Sequence, residues 1–326
     1  MKFKGTVLTA LVAALALASG LRASSTIAGA FATENTGTRP LGMGGAFAAV
    51  ADDANATFSN PAGMAFFDKN TRLATFAHTN LFSLSFLTRD FVAYAQGDEG
   101  SYGALGLSWN HFNVNFSPEQ YSEDTFMYSG AKLLTGDQDF PQYAVGWNLK
   151  YLRVTSDFSE SSDNTTVGGG NATGYGADLG VMIKPRESLS LALVARDLYS
   201  SINWDSGTLE ILPTTGVAGM AYQFTKDTLF AADGDFQQTS GGFNPVAWHL
   251  GAEHWFFDGK HLQWGLFRNF GARAGYQQIL ANNDGGQVSV GASAQAQNWQ
   301  LDYAYQFSMS STSLGGTHRF GLSFSF

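Results

Sequence analysis

The chain holds few residues whose type and spacing could make or break bonds. Asp52 and Asp53 are adjacent, Asp233 and Asp235 flank a glycine, and His249 stands four residues before Glu253. Paired carboxylates, or a histidine near an acid, are the raw material of general acid–base catalysis. Nothing completes a set around them. There is no cysteine, which removes thiolate nucleophiles, thiolate metal ligands and disulfides together. No Gly-X-Ser-X-Gly turn presents a strained serine. Asp233-Gly-Asp235 and the run from Asn282 to Gly286 look like fragments of calcium loops but lack the ligand spacing of such a site. The sequence therefore reads as neither enzyme nor metalloprotein and calls for no cofactor.

The elements that carry these residues belong to an exported protein. Lys2 and Lys4 precede an apolar run from Thr6 to Ala18. That run is too short to cross a bilayer as a helix and has the form of a secretory signal. Small residues allow cleavage after Ala18, Ala23 or Ala32; residues 1–23 are taken as the signal. No second long apolar stretch follows, which excludes a helical membrane protein. Charged residues make up 14% of the chain, against about 25% in soluble domains. Gly is abundant at 38 residues and aromatics reach 14%. The formal net charge of −9, with no basic cluster, argues against nucleic-acid binding.

From Thr71 onward the pattern has period two. Phe320, Leu322, Phe324 and Phe326 alternate with Arg319, Gly321, Ser323 and Ser325; Trp299, Leu301, Tyr303, Tyr305 and Phe307 alternate with Gln300, Asp302, Ala304, Gln306 and Ser308. One apolar and aromatic face against one small and polar face is the signature of a membrane strand. Residues 71–326 are thus expected to form an all-β, transmembrane, antiparallel up-and-down β-barrel of about 14 strands, in the outer membrane of a Gram-negative-type bacterium, surrounded by its lipid and monomeric. Short connections, such as Lys184–Glu187 and Thr225–Asp227, alternate with long ones at His111–Thr125, Thr155–Ala172, Tyr199–Pro213 and Gln238–Pro245. This matches short periplasmic turns and long external loops. Leu81–Leu87 reads as a further strand or a lip of the barrel, and the strand at 262–279 is expected to bulge near Arg268.

The same parity turns Lys150, Asp178, Arg196, Asp233, Asp235, His249, Glu253, Arg273, Asp302 and Arg319 into the lumen. Five acids interleaved with four bases and a histidine suggest a wall of mutually satisfied ion pairs. A ring of one sign would have suggested an ion filter.

Residues 24–70 stand apart. Thr36 to Phe66 is rich in Gly and Ala and does not alternate. Asp52 or Asp53 is placed to cap a short helix through Ala54–Phe58. Asn60 is placed to cap a second turn with Pro61 at its first position, where no amide donor is needed. Met43, Phe47, Phe58, Met64 and Phe66 supply an apolar surface suited to packing or to a ligand. The piece is too short to fold alone, and the barrel interior is the simplest place for it.

Arg39-Pro-Leu-Gly42-Met-Gly44-Gly45, the acids Asp52-Asp53 and Asn60-Pro61-Ala62-Gly-Met64 resemble the N-terminal hatch of FadL-type outer-membrane transporters of long-chain fatty acids. The spacing is closer still to their PorV/PorQ-like relatives. The resemblance covers about thirty residues. It implies a fourteen-stranded barrel with the hatch plugging the lumen. On the FadL side it implies passive transport of a hydrophobic small molecule; on the PorV-like side, a scaffold or shuttle that works with secretion-system proteins. Both remain open at this point.

Overall fold

The computed structural model describes residues 31, 36–98, 100, 102–116, 119–135, 140–157, 170–257, 266–280, 285–310 and 315–326. The expected signal therefore lies outside the described residues. The strands are β1 (Arg72–Asn80), β2 (Leu87–Gln96), β3 (Ala104–Phe116), β4 (Glu119–Leu133), β5 (Gln142–Ser156), β6 (Ala172–Arg186), β7 (Leu189–Trp204), β8 (Leu209–Glu210), β9 (Thr215–Thr225), β10 (Thr228–Thr239), β11 (Gly242–Trp255), β12 (Asn269–Ile279), β13 (Gln287–Gln295), β14 (Trp299–Ser308) and β15 (Thr317–Ser325). Successive strands pair antiparallel, and β15 returns to β1 with Leu73 opposite Ser325. The two-residue β8 pairs only with β7, so β7 runs on to β9 and fourteen strands close the wall. Closure leaves no free sheet edge, which is the condition for a sheet to sit in lipid.

Aromatic side chains mark the hydrocarbon boundary. Trp109, Phe126, Tyr151 and Tyr175 form a row across β3 to β6 on the outer face, with centroids 5.7–6.3 Å apart. Immediately beyond it, toward the long loops, the outer face turns ionisable. His78 meets Asp90 at 2.6 Å, His111 meets Asp124 at 2.8 Å, and Asp124 stands opposite Arg153. At the other rim Phe267 packs on Trp299, and Phe224, Phe257 and Phe326 are exposed. Two aromatic belts around an apolar band are the lipid-facing surface of an outer-membrane barrel.

The wall is uneven in height. β13 to β15 are 9 or 10 residues long, enough to span a bilayer when tilted, whereas β3 to β7 run to 13–16 residues. Two of the expected long loops are therefore mostly strand. His111–Thr125 is absorbed into β3 and β4, and Gln238–Pro245 is a tight turn between β10 and β11. Tyr199–Pro213 is shortened likewise by β7 and the fold-back at β8. Above the lipid both faces of a strand meet water, so the polar–apolar alternation fades while the hydrogen-bond ladder continues. Residues 81–86 do not form a strand; they open with a 3-10 turn, Leu81–Ser83, and Leu87 begins β2. The strand expected from 262 begins at Asn269, and the pairings of β12 carry no register shift. Residues 258–265 lie outside the described set. The largest register break is elsewhere: between Ala177 opposite Tyr199 and Leu179 opposite Ala195, Asp178 alone faces Arg196, Asp197 and Leu198.

Tyr303 and Leu322 face outward, whereas Gln306 turns inward to Gln277. Replacing either of the first two by Arg near the bilayer midplane should cost about 2–4 kcal/mol, and Gln306→Arg should cost less. Denaturant titration of the refolded barrel in liposomes measures the ordering.

Candidate functional site

Residues 36–67 lie inside the barrel and are almost wholly buried. The segment is a string of short turns: a helix at Thr38–Gly42, a helical turn at Ala56–Ser59 and a 3-10 helix at Pro61–Phe66. Asn60 stands at the start of the last one, its Oδ1 accepting the Ala62 N–H at 3.1 Å, with Pro61 in the first position. Its amide also donates to the Ala48 carbonyl at 2.9 Å, tying two turns together. Asp53, rather than Asp52, organises the middle turn by accepting the Asn55 N–H at 2.8 Å. Asp52 faces Arg39 instead.

Close approach to the wall is made possible by wall glycines. A Cβ on Gly106 would strike Thr57, on Gly146 Pro61 and Ala62, on Gly180 the Asn60 side chain, on Gly251 Met43, on Gly275 Gly44 and on Gly321 Thr38. These six glycines sit on six different strands. Elsewhere the facing wall is alanine: Met64 is enclosed with Ala77, Ala93, Ala95, Ala104, Ala131 and Ala144. Met43 and Phe47 pack with Val194, Val217, Ala221 and Ala231. The five residues suggested as ligand contacts thus separate. Met43, Phe47 and Met64 are fully buried packing residues, and Phe66 packs beside the Met64 cluster with Lys184 over its ring. Phe58 lines a chamber.

The charged and titratable lumen residues hold this segment at five places. Arg39 makes a two-pronged pair with Glu253, Nε to Oε2 at 2.7 Å and a terminal nitrogen to Oε1 at 2.8 Å, and also reaches Asp52 and Asp53. Glu253 is shared with Arg273, which continues to Asp302 at 3.1 Å. Burial works against the Arg39 charge, but Asp52, Glu253 and Asp53 outweigh it and raise its pKa well above the ordinary arginine value. Asp233 Oδ2 accepts the N–H groups of Phe47 and Ala48, each at 2.8 Å. His249 lies with Asp235 at 3.5 Å, not with Glu253; its Nδ1 is 2.8 Å from the Gly44 carbonyl and so carries the proton. Arg319 donates to the Gly37 carbonyl at 2.8 Å, and Arg196 donates to the Ser59 carbonyl at 3.3 Å. Gly37 at φ 90 and Gly44 at φ 62 occupy the left-handed region that these turns require.

Lys150 and Asp178 make a different structure. Lys150 bridges Asp178 at 2.7 Å and Asp197, and the Asp197 N–H is taken by Asp178 at 2.8 Å. This triad fills the inner side of the bulge between β6 and β7. Strand parity could not find Asp197, because its neighbour Arg196 already points inward and only a bulge, with Asp197 at φ 52, turns both the same way. Above the segment, toward the long loops, these groups border a chamber with Phe31, Phe58, Arg89, Glu123 and Leu212. Glu123 was hidden because the sequence placed it in a loop. On the outer face of the same bulge an apolar groove of about 270 Å³ is lined by Leu179, Leu193, Leu198, Ala218, Phe236 and Phe243. At the short-turn rim a polar vestibule of about 590 Å³ opens below Arg39, Asp52 and Asp302.

No protein-family profile and no curated protein matches the chain. Solved structures do. The CymD monoaromatic hydrocarbon channel superposes with a TM-score of 0.58 at 13% identity, covering 89% of this chain and 96% of that one. A FadL homologue of Pseudomonas aeruginosa gives 0.58 at 14%, over 91% and 99%. The Pseudomonas putida toluene transporter TodX gives 0.58 at 11%, over 91% and 99%. Along nearly its whole length the chain has the fold of the FadL-type outer-membrane channels.

Proposed function

We propose that this protein is a passive outer-membrane channel for hydrophobic small molecules, with residues 36–67 as its plug and the short-turn rim in the periplasm. One observation carries the reading. The bulge at residues 196–198 separates a luminal chamber from an apolar groove on the lipid side, with Arg196 and Asp197 on one face and Leu198 on the other. A hydrophobic molecule passing from the lumen to the bilayer core would cross the wall where the ladder is already interrupted. The polar lumen does not oppose this, because its charges are paired with one another or with the plug. The fold shared with hydrocarbon channels supports the same reading. The scaffold reading rests on the likeness of Arg39–Met64 to PorV-like proteins alone.

Removal of residues 36–66 should leave an assembled barrel, because the strand ladder closes without them. In planar bilayers the truncated barrel should conduct small ions steadily while the full chain stays nearly closed. Equal conductance would end the plug assignment.

Asn60→Ala removes the cap of the 3-10 helix and the donor to Ala48 and should cost about 1–2 kcal/mol, all of it within the plug. The expected outcome is brief conductance steps in the full-length variant, with the temperature of the barrel's gel-shift transition unchanged.

A further inference from the structure

On the outer face of β1 to β5 the side chains fall into three rows, because directly opposite residues share a face and the register carries from strand to strand. Phe76, Val92, Trp109, Phe126 and Tyr151 lie side by side. Two residues nearer the long loops the row is His78, Asp90, His111, Asp124 and Arg153. Two residues further it is Asn80, Thr88, Asn113, Ser122 and Thr155. An apolar row is followed by one that alternates imidazole or guanidinium with carboxylate, and that by one of amides and hydroxyls. With strands about 4.8 Å apart, each row is about 19 Å wide. Rows about 6.7 Å apart along strands tilted by about 40° climb the membrane normal in steps of about 5 Å. The middle row is organised from within. Asp90 accepts from His78 Nδ1 at 2.6 Å and Asp124 from His111 Nδ1 at 2.8 Å. The same Asp124 oxygen accepts the Trp109 indole N–H at 2.9 Å, and Trp109 stacks on His111 with centroids 5.3 Å apart. With the proton on Nδ1, each neutral imidazole keeps Nε2 as an acceptor, and the His78 side chain is 45% exposed. Arg153 ends the row, exposed, with the uncharged Thr173 opposite it on β6.

We propose that this face is a docking site for a phosphorylated glycolipid of the outer leaflet. Its acyl chains lie on the aromatic row, a phosphate sits on Arg153, and its sugar hydroxyls meet the two imidazoles and the amide row. The order of the rows away from the bilayer core is the order of such a lipid: hydrocarbon, charge, saccharide. A guanidinium presents the donor fork that a phosphate takes in two-pronged fashion. The neighbouring carboxylates do not meet the phosphate bare, since each already accepts an imidazole N–H and Asp124 an indole N–H as well. Cross-strand ion pairs would stabilise the sheet wherever they stood above the lipid. Here they are confined to one level, between an apolar row and an uncharged polar one. A phospholipid without a sugar would leave the third row to water, and a neutral glycolipid would leave Arg153 without a counter-ion.

The proposal shares with the channel reading the placement of the long loops outside the cell, but lipid binding to the purified protein depends on neither orientation nor conduction. Native mass spectrometry of the full chain, given equal amounts of diphosphoryl lipid A, phosphatidylglycerol and monogalactosyl diacylglycerol in detergent, reads the preference. Wild type should retain lipid A at least fivefold over either competitor. Arg153→Gln should lower that ratio at least threefold with the barrel's gel-shift transition unchanged, and Arg153→Lys, which keeps the charge, should keep most of it. Asn113→Ala combined with Thr155→Val should lower the preference over phosphatidylglycerol at least twofold. Lys132→Gln, which removes an exposed cation at the short-turn rim, should leave every ratio as it was. Equal retention of the three lipids by wild type, equal loss in Arg153→Gln and Lys132→Gln, or an unchanged preference in the double variant overturns the site. Retention as expected in a protein that passes no toluene into liposomes would keep the site and reject the channel.

Discussion

The structure depends on how closely the backbone of residues 36–67 can approach the wall around it. A segment of this length, made of isolated turns, buries too little of itself to offset the entropy of ordering it. Its order is imposed from outside. The wall meets it with glycine where backbone touches backbone, as at Gly275 against Gly44, and with alanine around Met64. A larger residue at those wall positions would push the segment out of reach of Asp233 and His249, whose bonds to Phe47, Ala48 and Gly44 are 2.8 Å long. The high glycine content thus has a structural meaning apart from turns: much of it is the inner surface of a socket.

Close approach also removes water, and charge then has to be paired. An isolated arginine inside such a socket would be strongly destabilising. Arg39 is surrounded by Asp52, Asp53 and Glu253, and Glu253 passes the network to Arg273 and Asp302. Networks of this kind add little net stability when compared with apolar packing. Their geometry is demanding, however, and a two-pronged arginine–carboxylate pair fixes direction as well as distance. Apolar contacts hold the segment in the lumen; the Arg39 pair and the Asp233 and Arg319 anchors determine its register within it.

Much of this was legible in the sequence because a barrel wall has one simple rule. Alternation locates the fourteen wall strands, and the same parity places Glu253, Arg273, Asp302 and Arg319 on one face of them. The cap at Asn60 was legible for a local reason, since the proline after it leaves few other conformations. The rule failed where its cause was absent. Beyond the lipid, at residues 111–125, both faces are wet and alternation no longer reports strand. At residues 196–198 the chain leaves the pleat, so parity missed Asp197. The pairing of Arg39 with Glu253 joins residues 214 apart, and no local pattern encodes it.

The bulge itself ties wall chemistry to the lumen. Interrupting a ladder in lipid leaves amide and carbonyl groups without partners, and no water is present to take them. Asp178 takes the Asp197 N–H, and Thr214 donates to the Asp197 carbonyl. Two carboxylates brought together in this way need a cation, and Lys150 reaches both. The triad is therefore the condition under which the wall can be broken, with its charge confined to the luminal face. On the other face the displaced chain leaves Leu198 among apolar neighbours. A strongly polar cluster and a hydrophobic groove, which look contradictory in one barrel, are the two sides of a single break in the sheet.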